Sequence, residues 1–121
     1  MQVPILKQGD VLIASVQAAL TDKDLMQLKD DLAERVGKFR AAGVIIDVSA
    51  LDVLDSFATR TLRGIAQTTK LRGAETVIVG VQPEVAMAMV QLGLTLDDVS
   101  TALDLEEGFD LINVRKAEAR A

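Results

Sequence analysis

The run Gly43-Val44-Ile45-Ile46-Asp47-Val48 is almost wholly apolar and rich in β-branched residues, and Thr76-Val77-Ile78-Val79-Gly80 is a second run of the same kind. Uninterrupted apolar runs of this length are typical of central parallel strands that helices cover on both faces. A helical pattern follows each run. Alternating strands and helices therefore predict an α/β fold with a mostly parallel sheet.

Two strands and a helix are predicted before the first of these runs. Residues 3–6 and 11–15 are apolar and are separated by four residues that include Gly9, which predicts an antiparallel hairpin. Thr21 followed by Asp24 is a capping-box start for a helix that should stop near Gly43. The apolar face of this helix recurs at helical spacing and consists of Leu25, Leu28, Leu32, Val36 and Phe39.

The second half of the chain adds three helices and one strand. A helix is predicted over residues 56–71, and Pro83 opens the next one. A short strand follows at residues 99–103, and Asp104 with Glu107 three residues later begins a terminal helix. The predicted order is thus two strands, then a helix, then three alternations of strand and helix.

The composition favours a single domain over residues 1–121 that has no catalytic centre. A chain of 121 residues buries about two thirds of its unfolded surface, which is enough for one core. The chain has no cysteine and no histidine, so thiol nucleophiles, thiolate metal sites and the commonest general base are excluded. Carboxylates at Asp47, Asp52 and Asp55 offer one candidate Mg²⁺ site. We expect no cofactor and no enzymatic activity.

Charge and hydropathy indicate the compartment and the excluded partners. A net charge of −5, with three phenylalanines and no tyrosine or tryptophan, disfavours nucleic acid and anionic membranes. The sequence contains no apolar run of about 18 residues and no signal-peptide pattern at its start. A cytoplasmic protein is therefore expected.

Ser56 is the leading candidate for a functional residue. The segment from Asp47 to Arg60 leaves a buried strand, crosses an acidic loop and enters a helix with Asp55 or Ser56 at its N-cap. By position alone, a serine there is most often a plain cap. Thr59 and Thr61 are weaker candidates for modification because they lie inside the helix.

Asp55 beside Ser56 and two further sets of residues are candidates for contact with a phosphate or a partner. Arg60 and Arg63 follow Ser56 by four and seven residues and so lie on roughly the same helix face, although exposed arginines are often only solvated cations. The helix after Pro83 is apolar nearly all round, which predicts either a core helix or an interface that includes Met87 and Met89.

Three stretches of the chain resemble the anti-anti-sigma proteins of the STAS family, and in particular the stressosome scaffold proteins within it. They are residues 46–49 leading to Asp55-Ser56-Phe57, residues 80–86, and residues 92–94 running on to 101–108. With a similar lead-in at residues 3–7, the resemblance covers nearly the whole chain. The simple anti-sigma antagonists usually carry glycine two residues after the serine, where this chain has Ala58. That difference favours the scaffold.

The resemblance implies a single STAS domain with a mixed, mostly parallel sheet, an N-terminal β-hairpin and about four helices. It also implies non-catalytic stress signalling: self-association, co-assembly with RsbR-like sensors, capture of an RsbT-like serine/threonine kinase, phosphorylation at Ser56 and resetting by an RsbX-like phosphatase. Because the first strand begins almost at Met1, the chain is expected to be the sensorless component. Two alternatives stay open, a free antagonist that binds an anti-sigma kinase and a STAS module that senses a nucleotide or lipid.

Overall fold

The computed structural model describes residues 3–18, 20–93, 96 and 99–120. Within these residues the elements follow the predicted order. They are β1 (Ile5–Gln8), β2 (Val11–Ser15), α1 (Asp22–Phe39), β3 (Gly43–Asp47), α2 (Ser56–Leu71), β4 (Glu75–Val79), α3 (Pro83–Gln91), β5 (Ser100–Ala102) and α4 (Leu105–Arg120). None of the helices in this part of the chain is long and apolar enough to cross a membrane.

The five strands form one sheet in the order β1-β2-β3-β4-β5. Strand β1 is antiparallel to β2, and each of the other neighbouring pairs is parallel. The α/β class, the N-terminal hairpin, the mostly parallel sheet and the four helices are therefore confirmed. Helices connect the parallel strands because a parallel pair cannot be joined by a tight turn.

The sheet carries an apolar layer on each face. Val44 and Ile46 of β3 belong to the layer under α1 and α2, whereas Ile45 belongs to the layer that includes Ile112 of α4. Gly43 lets α4 come close, since a Cβ there would lie 2.5 Å from the Ile112 side chain. Burial on both faces explains why the central strands are uninterrupted apolar runs.

Strand β1 occupies Ile5–Gln8, so the prediction of a strand at residues 3–6 was two residues early. The hairpin turn consists of Gly9 and Asp10, because Gln8 already pairs with Val11. Gly9 has a φ of 60°, a conformation that glycine adopts easily at the first central position of a tight hairpin turn. This two-residue turn extends the strand to Gln8.

Helix α1 ends at Phe39, before the predicted stop near Gly43, because Arg40 has a left-handed backbone with φ 51°. Phe39 was wrongly assigned to the buried face, since its side chain is 40% exposed. The ammonium groups of Lys7 and Lys38 lie 5.7 and 5.3 Å from the centre of its ring. The other four residues of the predicted face are buried.

Strands β4 and β5 also differ slightly from their predicted limits. Strand β4 spans Glu75–Val79, one residue earlier than predicted, because Gly80 has a φ of 80° and so leaves the extended conformation. Strand β5 is limited to Ser100–Ala102, inside the predicted 99–103, and pairs only with β4 at the edge of the sheet.

Candidate functional site

The carboxyl ends of the parallel strands meet at one edge of the sheet, and the candidate site lies there. Strand β3 ends at Asp47, and the loop of residues 48–55, here called the β3–α2 loop, leads to Ser56. Ser56 is the first residue of α2 and its side chain is exposed. Parallel strands bring their loops together at this edge, which is where α/β proteins usually bind ligands.

Asp55, and not Ser56, is the N-cap of α2. Its carboxylate oxygen Oδ1 accepts a hydrogen bond of 2.7 Å from the backbone N–H of Ala58. The Ser56 hydroxyl has no hydrogen-bond partner within the described residues. The two alternatives for the cap are thereby resolved, and the serine keeps an exposed hydroxyl that takes no part in holding the helix.

Thr59 and Thr61 differ from Ser56 in their surroundings. Thr59 is fully buried, and its hydroxyl is without a hydrogen-bond partner among the described residues. The Thr61 hydroxyl donates to the carbonyl oxygen of Phe57 at 2.9 Å and is half-buried. Neither hydroxyl is as accessible as that of Ser56.

Backbone hydrogen bonds and one buried side chain shape the β3–α2 loop. The Asp47 carboxylate accepts from the Ser49 N–H at 2.9 Å, and the Leu51 N–H donates to the Val48 carbonyl at 2.9 Å. Leu54 is buried in the core just before the cap. The loop is therefore anchored at both ends.

A contact that the sequence did not predict joins this loop to the next one along the sheet edge. The side-chain amide of Gln82 donates to the carbonyl oxygen of Ser49 at 2.8 Å, across 33 residues of chain. The sequence pattern offered one weak signal: glutamine is a poor N-cap residue in front of Pro83, which leaves its amide free for another partner.

Arg60 and Arg63 lie one and two turns beyond Ser56 on α2. Arg60 is exposed and Arg63 is half-buried. Within the described residues neither guanidinium makes an ion pair. Their suggested contact with a phosphate or a partner stays a prediction.

A cleft of about 220 Å³ lies beside the start of α2. It opens between the β3–α2 loop and the loop that follows β2. Most of its lining is apolar, and its polar groups come from Gln17, Asp22 and Asp55. The cleft is large enough for a small group or a side chain.

The acidic residues of the site do not assemble into a metal centre. No group of three acidic side chains in the described part of the chain is arranged to hold a metal ion. The carboxylates of Asp47 and Asp55 are instead occupied by backbone N–H groups. The arrangement of Asp47, Asp52 and Asp55 considered from the sequence thus lacks the geometry of a Mg²⁺ site.

Helix α3 separates the two methionines that the sequence grouped together. Met89 is 6% exposed and packs in the core with Val85, whereas Met87 is 64% exposed. A shallow apolar groove runs beside Met87 and Val90. A partner could reach Met87 on this surface but not Met89, because the helix turns Met89 toward the sheet.

Comparison with known proteins identifies the family. The STAS domain family matches residues 2–108. The chain is 35% identical to a serine-to-glutamate variant of Moorella thermoacetica RsbS, with a TM-score of 0.81 and full coverage of both chains. It is 36% identical to a chain in the structure of the stressosome, described as a signal integration and transduction hub, with a TM-score of 0.78, covering 98% of this chain and 100% of that one.

A curated relative matches the chain over part of a longer protein. The chain is 29% identical to the RsbT co-antagonist protein RsbRA of Bacillus subtilis over 82 residues. These residues make up 68% of this chain. The chain spans about 30% of the length of that relative. From the family match over residues 2–108 and the full-length likeness to RsbS, the chain belongs to the STAS domain family, as an RsbS-type member.

Proposed function

We propose that this protein is a non-catalytic stress-signalling scaffold that captures an RsbT-like serine/threonine kinase and is switched by phosphorylation at Ser56. The observation that carries the proposal is the exposed, unbonded hydroxyl of Ser56 at the first position of α2. Asp55 already caps the helix, so the Ser56 side chain has no evident structural task.

Phosphorylation requires only an accessible hydroxyl group from the scaffold. In a kinase reaction the enzyme supplies the base, the metal ion and the nucleotide. The Ser56 oxygen attacks the γ-phosphorus of ATP, its proton goes to the kinase base, and ADP leaves. The absence of histidine and cysteine is therefore no obstacle to this role.

A phosphate on Ser56 should change partners more than it changes the fold. It adds about −1.5 to −2 charges next to the positive end of the α2 dipole, with Arg60 one turn away and Asp55 opposing it. Each of these local effects is worth about 1 kcal/mol or less. Burying an unpaired charge in an interface costs on the order of 2 to 5 kcal/mol, so the captured kinase would be released.

The proposed partners follow from the likeness to RsbS and to an RsbT co-antagonist. We propose co-assembly with RsbR-like sensors, self-association, and dephosphorylation by an RsbX-like phosphatase, all in the cytoplasm. The exposed Met87 and the apolar groove beside it support a contact surface on α3. Aliphatic and methionine side chains are suited to such contacts.

The decisive experiment is to map phosphate by mass spectrometry after incubation with an RsbT-like kinase and ATP. Phosphate is expected on Ser56 and is expected to be lost in Ser56→Ala. Ser49→Ala is the matched control, because Ser49 is an exposed serine of the same segment whose described hydrogen bonds use only its backbone. Phosphate on Thr61 in the wild type, or full phosphorylation of Ser56→Ala, would disprove the assignment.

The substitutions at Ser56 should separate binding from folding. Since Asp55 is the cap, Ser56→Ala should change the free energy of unfolding by no more than about 0.5 kcal/mol, as at ordinary surface positions. Ser56→Asp adds one negative charge where phosphate adds nearly two, so it should weaken kinase capture only partly. Circular dichroism and a kinase pull-down measure the two effects.

The cleft beside α2 favours one alternative, a STAS module that senses a small ligand. Its apolar lining and the polar groups of Gln17 and Asp22 could bind a nucleotide base or a lipid chain. A thermal-shift screen with nucleotides and short-chain lipids tests this.

The other alternative, a free antagonist, would form only small complexes in size-exclusion chromatography with an RsbR-like partner, whereas a scaffold would elute as a large assembly.

A further inference from the structure

We propose that Gln82 is a positioning residue for the loop that precedes Ser56: through its hydrogen bond to Ser49 it holds the β3–α2 loop in the form that the kinase binds. The inference rests on the proposed function, because the readout is phosphorylation of Ser56. It adds a role for a side chain on a different loop from the one that carries the serine.

The hydrogen bond of Gln82 is directed away from its own helix. Gln82 occupies the N-cap position of α3, yet its side chain makes no capping bond. The amide nitrogen instead lies 2.8 Å from the carbonyl oxygen of Ser49. Among the described residues this is the side-chain hydrogen bond that ties the β3–α2 loop to the β4–α3 connection, and it adds to the backbone bond of 3.0 Å from the Val48 N–H to the Val79 carbonyl oxygen where the two strands end.

The backbone around this bond is packed unusually closely. A Cβ added to Gly80 would lie 2.8 Å from the Ser49 Cβ and 3.2 Å from both the Ser49 Cα and the Asp47 Oδ1. Asp47 accepts from the Ser49 N–H on the other side. Ser49 is therefore held at both of its peptide groups, by Asp47 at its N–H and by Gln82 at its carbonyl.

Between Ser49 and Ser56 the loop has a second, independent anchor. Leu54 is buried in the core and Asp55 caps α2, so the helix start survives without Gln82. Asp52 and Val53 lie between the two anchors and are exposed. Loss of the first anchor should therefore loosen the exposed part of the loop while leaving Ser56 at the start of its helix.

Such loosening should affect binding of the kinase more than the chemical step. An ordinary net hydrogen bond changes an equilibrium by about five-fold. Gln82→Ala should accordingly raise the KM of the kinase for this protein by about five-fold, with kcat unchanged. Gln82→Glu should do the same, because a carboxylate cannot donate to the Ser49 carbonyl.

The controls separate a positioning role from general damage. Gln67→Ala removes an exposed glutamine of α2 that lies outside both loops and should leave KM unchanged. Gln82→Lys restores a donor of similar reach and should recover part of the lost affinity. Amide hydrogen exchange should be faster at Ser49 and Leu51 in Gln82→Ala, while exchange in the central strands stays as in the wild type.

The outcomes separate this inference from the proposed function. If the wild type is phosphorylated on Ser56 but Gln82→Ala keeps the wild-type KM within two-fold, the positioning role is overturned alone. Unchanged amide exchange at Ser49 in Gln82→Ala would overturn it too. If the wild-type protein carries no phosphate on Ser56 after kinase treatment, the proposed function fails, and the positioning role fails with it.

Discussion

The side-chain oxygens of Thr69 and Thr76 lie 2.7 Å apart in the buried layer between α2 and β4. The Thr69 hydroxyl also lies 2.9 Å from the carbonyl oxygen of Ile65, one turn earlier on its helix. Thr59 is buried on the same helix, but its hydroxyl has no partner among the described residues. A buried threonine hydroxyl is thus hydrogen-bonded at position 69 of α2 and lacks a described partner at position 59.

Replacing each threonine by valine should therefore have opposite effects on stability. Thr59→Val removes an unpaired buried hydroxyl and keeps the shape, so the free energy of unfolding should rise by about 1 kcal/mol. Thr69→Val leaves the Thr76 hydroxyl buried without its partner, so the free energy of unfolding should fall by about 1 to 3 kcal/mol. Urea denaturation measures both. An equal loss in the two variants would contradict this account.

The cap of α2 should depend on the side-chain oxygen of Asp55 and not on its charge. Asp55→Ala should lower the free energy of unfolding by about 1 kcal/mol, because the N–H of Ala58 loses its acceptor. Asp55→Asn keeps a capping oxygen and should stay near the wild type. Thermal unfolding followed by circular dichroism distinguishes the two variants, and a large loss in Asp55→Asn would indicate that the charge matters instead.

The close approach of Gly80 to Ser49 should make Gly80→Ala more harmful than the same change at Gly73. Both glycines have positive φ, 80° and 90°, but a Cβ at Gly73 would meet nothing within 4 Å. Gly73→Ala should lower the free energy of unfolding by about 1 to 2 kcal/mol, because alanine is strained in this backbone conformation. Gly80→Ala should lower the free energy of unfolding by a further ~1 to 3 kcal/mol, because the added methyl group would be too close to Ser49. Equal losses in urea denaturation would argue against this tight contact.

The capping box of α1 should make part of the stability depend on pH. The Thr21 backbone N–H donates to the Asp24 carboxylate at 3.0 Å and lowers the pKa of Asp24. A lowered pKa in the folded state means that ionised Asp24 stabilises the fold above about pH 4, and that this is lost as the pH falls through the lowered value.

The test is Asp24→Asn, which cannot ionise at this position. Its stability deficit relative to the wild type should be constant above about pH 4 and should shrink as the pH falls below that value, as followed by thermal unfolding. Met26→Gln, which exchanges one non-ionising side chain for another at an exposed position on the same helix, is the control and should show no such trend. A deficit in Asp24→Asn that stays constant with pH would contradict the linkage.

The exposed face of α3 should be needed for assembly if the proposed scaffold role is right. Met87→Glu should reduce co-elution with an RsbR-like sensor, because a charge buried in an apolar contact must be desolvated. Met26→Glu is the matched control, since Met26 is 56% exposed on α1 and Met87 is 64% exposed on α3. Equal behaviour of the two variants in size-exclusion chromatography would remove Met87 from the interface.

Local sequence patterns were sufficient for the order of the elements and for their type. The apolar run of β3, the capping box of Thr21 and Asp24, and the proline that opens α3 all act on neighbouring residues. The placement of Ser56 at an exposed helix start follows from the same local signals. Periodicity and capping depend on residues a few positions apart, which is why a single sequence contains them.

The contacts between distant segments were decided by the tertiary structure alone. The sequence could not tell that Met89 is buried while Met87 is exposed, because α3 is apolar on most of its surface and only the sheet selects one face. Nor could it show that Gln82 reaches Ser49, since the two residues meet only when β3 and β4 end side by side. Such pairings depend on how separate elements pack, and no local pattern encodes that geometry.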